Sequence, residues 1–109
     1  MNLTIKPLES FTKSIKKLAK KYKNIAQDLK ELQNELLHNS KAGVKLGNYC
    51  YKIRLANSSV PTGKSGGFRV VYYQKIKETI YLMEIYSKSD MDNITDEKIV
   101  EILKNNRLD

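Results

Sequence analysis

Eight apolar residues, Phe11, Ile15, Leu18, Tyr22, Ile25, Leu29, Leu32 and Leu36, recur at spacings that alternate between four and three. That pattern sets them along one side of a helix, as a stripe that must be covered. One long coiled-coil helix and two helices folded back on each other both satisfy it. Local signals favour the hairpin. Lys20, Lys21 and Lys23 gather where a first helix would end, and cations suit the negative end of a helix dipole. Asn24 follows as an N-cap with Gln27 three residues on. A helical hairpin with one apolar side needs a sheet to lie on.

The middle of the chain supplies the strands. Tyr49, Tyr51, Ile53 and Leu55 alternate with Cys50, Lys52 and Arg54, so the two sets point to opposite faces. A loop over Asn57–Gly67, rich in Ser, Pro, Thr and Gly, leads to a second strand at Phe68-Arg69-Val70-Val71-Tyr72-Tyr73. After a turn at Gln74–Glu78, the stretch to Ser87 is rich in Ile, Tyr, Leu and Met. These runs predict a three-stranded antiparallel sheet. Asn2 to Lys6 reads as a short strand ended by Pro7, and Asn39 to Gly47 as a connector. A last helix begins at Thr95, an N-cap followed by Asp96 and Glu97, with Ile94 placed to staple onto Ile99. Its apolar side is Ile99, Val100, Ile102 and Leu103. The fold class is therefore α+β: an antiparallel sheet, an N-terminal helical hairpin on one face and a short C-terminal helix. With 109 residues, the chain is read as one domain, 1–109.

Charge is distributed unevenly along this plan. From Lys41 to Lys77 there are eight Lys and Arg residues and no Asp or Glu, and the whole chain carries +8. Like charges close together repel, so a solvated surface ordinarily intersperses carboxylates among them. A basic sheet without any points to a polyanionic partner.

Several chemistries are poorly served. A metal nuclease needs clustered carboxylates, whereas Asp90 and Asp92 lie just outside the basic section and suit a loop before a helix. One histidine, His38, rules out a two-histidine ribonuclease, and zinc lacks ligands. Cys50, the single cysteine, reads as a buried strand residue, and its lack of a disulfide partner fits a reducing cytoplasm. The Gly63-Lys64-Ser65 tract is no phosphate-binding P-loop, because Ser58 stands where that pattern needs glycine and a strand follows. No metal or cofactor is expected, and no membrane segment. What remains is Lys, Arg and Tyr. RNA carries its own nucleophile, the 2′-OH, so a protein that aligns it and stabilises charge can promote cleavage.

The order of elements, with Tyr51-Lys52-Ile53-Arg54, then Gly66-Gly67-Phe68-Arg69-Val70-Val71-Tyr72-Tyr73, then Ile80 to Lys88, resembles the RelE/ParE superfamily of toxins from type II toxin–antitoxin systems. The likeness is nearest to the RelE and HigB branches and covers nearly the whole chain. It implies a ribosome-dependent mRNA endoribonuclease, an mRNA interferase, that works without metal and is neutralised by a cognate antitoxin. Such an antitoxin is expected to carry its own DNA-binding domain, so that the complex binds operator DNA. Arg54 and Arg69 match the family's strand arginines and Lys88 its basic residue after the last strand. Lys52 shares the face of Arg54, and these four are the catalytic candidates. Lys64, Tyr73 and Tyr86 are candidates for substrate binding. The sequence departs from members with a late catalytic tyrosine or histidine, since neither type follows Tyr86. Two alternatives stand beside this reading: a non-enzymatic ParE-like toxin acting on DNA gyrase, and a plain RNA-binding module.

Overall fold

The computed structural model describes residues 3–61, 63 and 66–109. The elements run β1 (Thr4–Pro7), α1 (Glu9–Lys21), α2 (Ile25–His38), β2 (Val44–Gly47), β3 (Cys50–Leu55), β4 (Phe68–Tyr73), β5 (Thr79–Ser87) and α3 (Asp96–Asn105). They build an α+β fold around one mixed sheet in the order β1-β5-β4-β3-β2. The three expected strands are its centre, with β3, β4 and β5 antiparallel. Two edges extend it. β1 pairs with β5 in parallel, and Pro7 sits at its end, where a missing N–H costs no ladder bond. β2 pairs antiparallel with β3, within the stretch expected to be a connector. All four of its residues are exposed, so it leaves no alternating apolar pattern. Backbone pairing alone makes it a strand.

The apolar stripe breaks into two helices, as the lysine cluster and Asn24 indicated. Asn24 occupies the N-cap position of α2, but its side chain does not cap. Its amide instead donates to the Ser58 carbonyl at 3.4 Å, while its own carbonyl accepts the Gln27 N–H at 3.0 Å. Thr95 does cap α3, its hydroxyl oxygen accepting the Lys98 N–H at 3.1 Å.

The sheet is covered on both faces. Phe11, Tyr22, Ile25, Leu32 and Leu36 of the hairpin segment pack with Tyr51, Ile53, Leu55, Phe68, Val70, Tyr72, Ile80, Leu82 and Ile85. On the other face Ile99, Ile102 and Leu103 of α3 pack with Cys50, Val71, Tyr73, Met83 and Tyr86. Val100, expected on the apolar side of α3, is 39% exposed and stands outside that core. A bulge in β5 explains how Leu82 and Ile85, three residues apart, reach one core. Val71 pairs with Glu84 but Tyr72 with Leu82, so Met83 is the extra residue and the alternation changes parity there.

Candidate anion-binding site

One cross-strand row organises the α3 face. Arg54 of β3 is paired with Arg69 of β4, which is in turn paired with Tyr86 of β5. Direct partners on adjacent antiparallel strands share a face and lie about 5 Å apart at Cα. Two guanidinium-bearing residues are thus set side by side by backbone register alone. Their environments differ. Arg54 is exposed, whereas Arg69 is only 7% exposed and donates from Nη1 to the Phe68 carbonyl at 3.2 Å.

Lys52 lies two residues before Arg54 on the same face, its ammonium donating to Asn93 Oδ1 at 2.9 Å. Lys88 lies two residues beyond Tyr86. Its backbone N–H donates to the Gly67 carbonyl at 2.9 Å, which ties the end of β5 to the glycine loop. Its ammonium reaches the Asp92 carbonyl at 3.2 Å and the Asp92 carboxylate at 3.5 Å. That carboxylate is almost fully exposed, so the ion pair holds Lys88 only weakly. The other nearby acids turn elsewhere: Asp90 pairs with Lys21 at 3.6 Å, and Glu84 accepts bonds from the Ser14 hydroxyl and the Ile85 N–H.

Tyr86 is buried under the segment that joins β5 to α3, and its hydroxyl oxygen accepts the Ile94 N–H at 3.3 Å. Burial raises the phenol's pKa above its ordinary value, which the Ile94 N–H and the positive charge of Arg69 partly offset. Tyr73 is not part of this group. It stands four residues from Arg69 along β4, roughly 13 Å away. There it is buried among Tyr49 and Tyr81, with ring centroids 6.1 Å apart in both cases. Lys64 lies outside the described residues. The fold thus brings Lys52, Arg54, Arg69, Tyr86 and Lys88 to one end of one face, and leaves Tyr73 at the other.

The glycine loop between β3 and β4 is held from the hairpin side. The Asp28 carboxylate, buried inside α2, accepts the Ser58 N–H through both oxygens at 3.1 and 3.2 Å. Asn57, also buried, accepts the Ser59 N–H on Oδ1 at 3.0 Å. A Cβ on Gly67 would come within 2.3 Å of the Leu55 carbonyl oxygen, so the strand entry closes only around glycine. Sequence reasoning missed Asp28 and Asn93. Both act across long chain separations, and neither stands in a pattern that marks it.

Among the described residues no group of three or more His, Cys, Asp or Glu is placed to hold a metal ion. Cys50 is buried, and desolvation pushes its thiol up to about 11, so it is a poor nucleophile at neutral pH.

Arginines paired on one face of a small sheet, with a helical hairpin filling the other, define a compact α+β protein with cations gathered at one end of a face. The sequence then places it more closely. The family model for the RelE toxin of the RelE/RelB toxin–antitoxin system matches residues 10–106, and the chain belongs to that family of toxins. The structure of the E. coli toxin RelE, as a double arginine-to-alanine mutant in the free state, is similar in fold. The TM-score is 0.58 at 19% identity, with 96% of this chain and 98% of that one covered. No curated protein matches the chain by sequence. Among the described residues no helix is long and apolar enough to cross a membrane.

Proposed function

We propose that this toxin is a ribosome-dependent mRNA endoribonuclease that inhibits translation without a metal ion. The observation that carries the reading is the Arg54–Arg69–Tyr86 row. Like charges directly opposite one another on neighbouring strands disfavour the free protein. A phosphate between them turns that repulsion into attraction. The guanidinium fork suits a phosphate's planar pairs of oxygens, and charge that grows on those oxygens in the transition state is held more tightly than the ground state.

In the reaction the RNA 2′-oxygen forms a bond to phosphorus and the bond from phosphorus to the 5′-oxygen breaks. The products are a 2′,3′-cyclic phosphate and a free 5′-hydroxyl. Water takes up the 2′-OH proton and supplies one to the departing 5′-oxygen. Arg54 and Arg69 stabilise the phosphorane, while Lys52 and Lys88 flank the row and hold the neighbouring phosphates. Tyr86 stands beside Arg69 across the β4–β5 ladder and helps to fix its place in the row.

Residues 1–109 act as one toxin domain in the cytoplasm, restrained by a cognate antitoxin that covers the basic face with acidic and apolar side chains. A DNA-binding domain on that antitoxin would let the complex occupy its operator. The test is purified protein with mRNA-programmed ribosomes. Cleavage within the decoded codon, lost in Arg69→Ala, is expected. Intact message at every codon would overturn the reading, and inhibition of gyrase supercoiling would replace it with the ParE-like alternative.

A further inference from the structure

The β2–β3 hairpin holds a tyrosine where tyrosine is disfavoured. Gly47 pairs with Cys50, leaving a two-residue turn of Asn48 and Tyr49. Both have positive φ, 52° and 64°, as a type I′ turn requires. Asparagine tolerates that conformation, but the second position is ordinarily glycine, and a bulky aromatic there is an outlier. The ring is not used to fill the core, because Tyr49 is 55% exposed. Instead of joining Tyr51, Ile53 and Leu55 on the hairpin face, as strand alternation predicts, it meets Tyr73 edge-on on the α3 face. Lys75 places its ammonium 5.6 Å from the ring centroid. Strain kept for an exposed ring points to a surface role.

Position gives that role its chemistry. Tyr49 stands at one end of β3, and Lys52 and Arg54 follow on the same face, with Arg54 about 17 Å along the strand. Val44, paired with Lys52, exposes a small apolar side chain between them. The strip thus runs from an exposed aromatic beside a lysine to the arginine row, within a stretch of sequence that has eight basic residues and no acidic one; from outside that stretch, Asp109 lines the recess next to Tyr49 and Lys75. Aromatic faces interleaved with cations are how single-stranded nucleic acids are held without regard to sequence.

We propose that Tyr49 is a stacking platform for a base of the single-stranded RNA whose phosphate lies on Arg54 and Arg69, a few nucleotides from the cleaved bond. This rests on the endoribonuclease reading and adds to it a subsite that steadies the message along β3. The side chain touches the RNA but not the reacting atoms, so it contributes to binding rather than to the chemical step.

The experiment is single-turnover cleavage of message on programmed ribosomes, with toxin concentration varied, for the parent, Tyr49→Gly, Tyr49→Asn, Tyr49→Phe and Arg69→Ala. Glycine and asparagine both accept the positive φ, so loss of the ring is separated from loss of the turn, and circular dichroism checks the fold. Tyr49→Gly and Tyr49→Asn should raise the half-saturating concentration roughly tenfold, with the saturating rate near the parent's. Tyr49→Phe should stay within about twofold, because stacking needs the ring and not the hydroxyl. Parent-like half-saturation in both ring-less variants, with Arg69→Ala inactive, overturns the platform while the nuclease reading stands. If those variants cut normally but escape neutralisation by the antitoxin, the ring belongs to a protein interface and the proposal is wrong. A parent that cuts no message removes both readings together.

Discussion

Arg54 and Arg69 face each other across the β3–β4 ladder, one in solvent and one buried, and the whole positive row follows from that single register. A charge pair of this kind opposes folding and favours an anion. Arg54→Ala should therefore leave the fold unharmed or raise its stability by a few tenths of a kcal/mol, measured by urea unfolding, since like charges directly opposite are unfavourable. The same substitution should reduce cleavage of ribosome-bound message by at least about tenfold. Stability and activity moving in opposite directions is the signature sought; a parallel fall in both would mark Arg54 as structural.

Arg69→Lys should fail to restore the cleavage lost in Arg69→Ala. A lysine offers a point charge instead of a planar fork, and it would abandon the bond to the Phe68 carbonyl. Recovery to within about threefold of the parent would show that charge alone suffices there.

Lys52→Ala should weaken RNA association with little sequence preference and lower the salt dependence of binding by about one ion. Asn93→Ala releases the same ammonium without removing its charge, so its salt slope should match the parent's. Titrations of RNA binding over a range of KCl concentrations distinguish the two.

Asp28→Ala should destabilise the protein by about 1–3 kcal/mol, because it leaves the Ser58 N–H without its charged acceptor at a buried site. Amide exchange should quicken in residues 57–61, with α3 unaffected. Uniform faster exchange would mean that Asp28 supports the whole fold rather than the loop.

Alkali should weaken the fold through two buried acids. Burial raises the Cys50 thiol from 9.0 to about 11, and desolvation also raises the Tyr72 phenol, whose hydroxyl donates to the Ala42 carbonyl. Each group keeps its proton longer in the native state than in the unfolded one. The thiol's contribution is complete below pH 9 and is lost as pH climbs through 11, while the phenol's begins to fall above pH 10 and continues beyond the thiol's range. Melting temperature should fall across that interval, and Cys50→Ala should flatten part of the fall.

Much of this protein was legible before its coordinates. The alternating spacing from Phe11 to Leu36 demanded a covered stripe, and the lysine cluster with Asn24 told where it breaks. Alternation in residues 50–55 separated an apolar face from one bearing Lys52 and Arg54, because successive strand residues point oppositely whatever lies beyond them. The absence of carboxylates from Lys41 to Lys77 set the basic side chains of the sheet apart from the rest of the chain. These are local properties, written in spacing and composition.

Other features were decided only when the chain closed on itself. β2 buries nothing, so no pattern could mark it, and it exists because β3 offers an unpaired edge. The Met83 bulge follows from the way β5 is paired, and it changes which side chains meet each core. Arg54 reaches Arg69 across 14 intervening residues through register, Asn93 reaches Lys52 through the path of the segment before α3, and Tyr49 turns to the opposite face through a positive φ. Sequence states which way a side chain points within its own element. Which neighbour it then meets depends on pairing and packing between distant segments, and that information exists only in three dimensions.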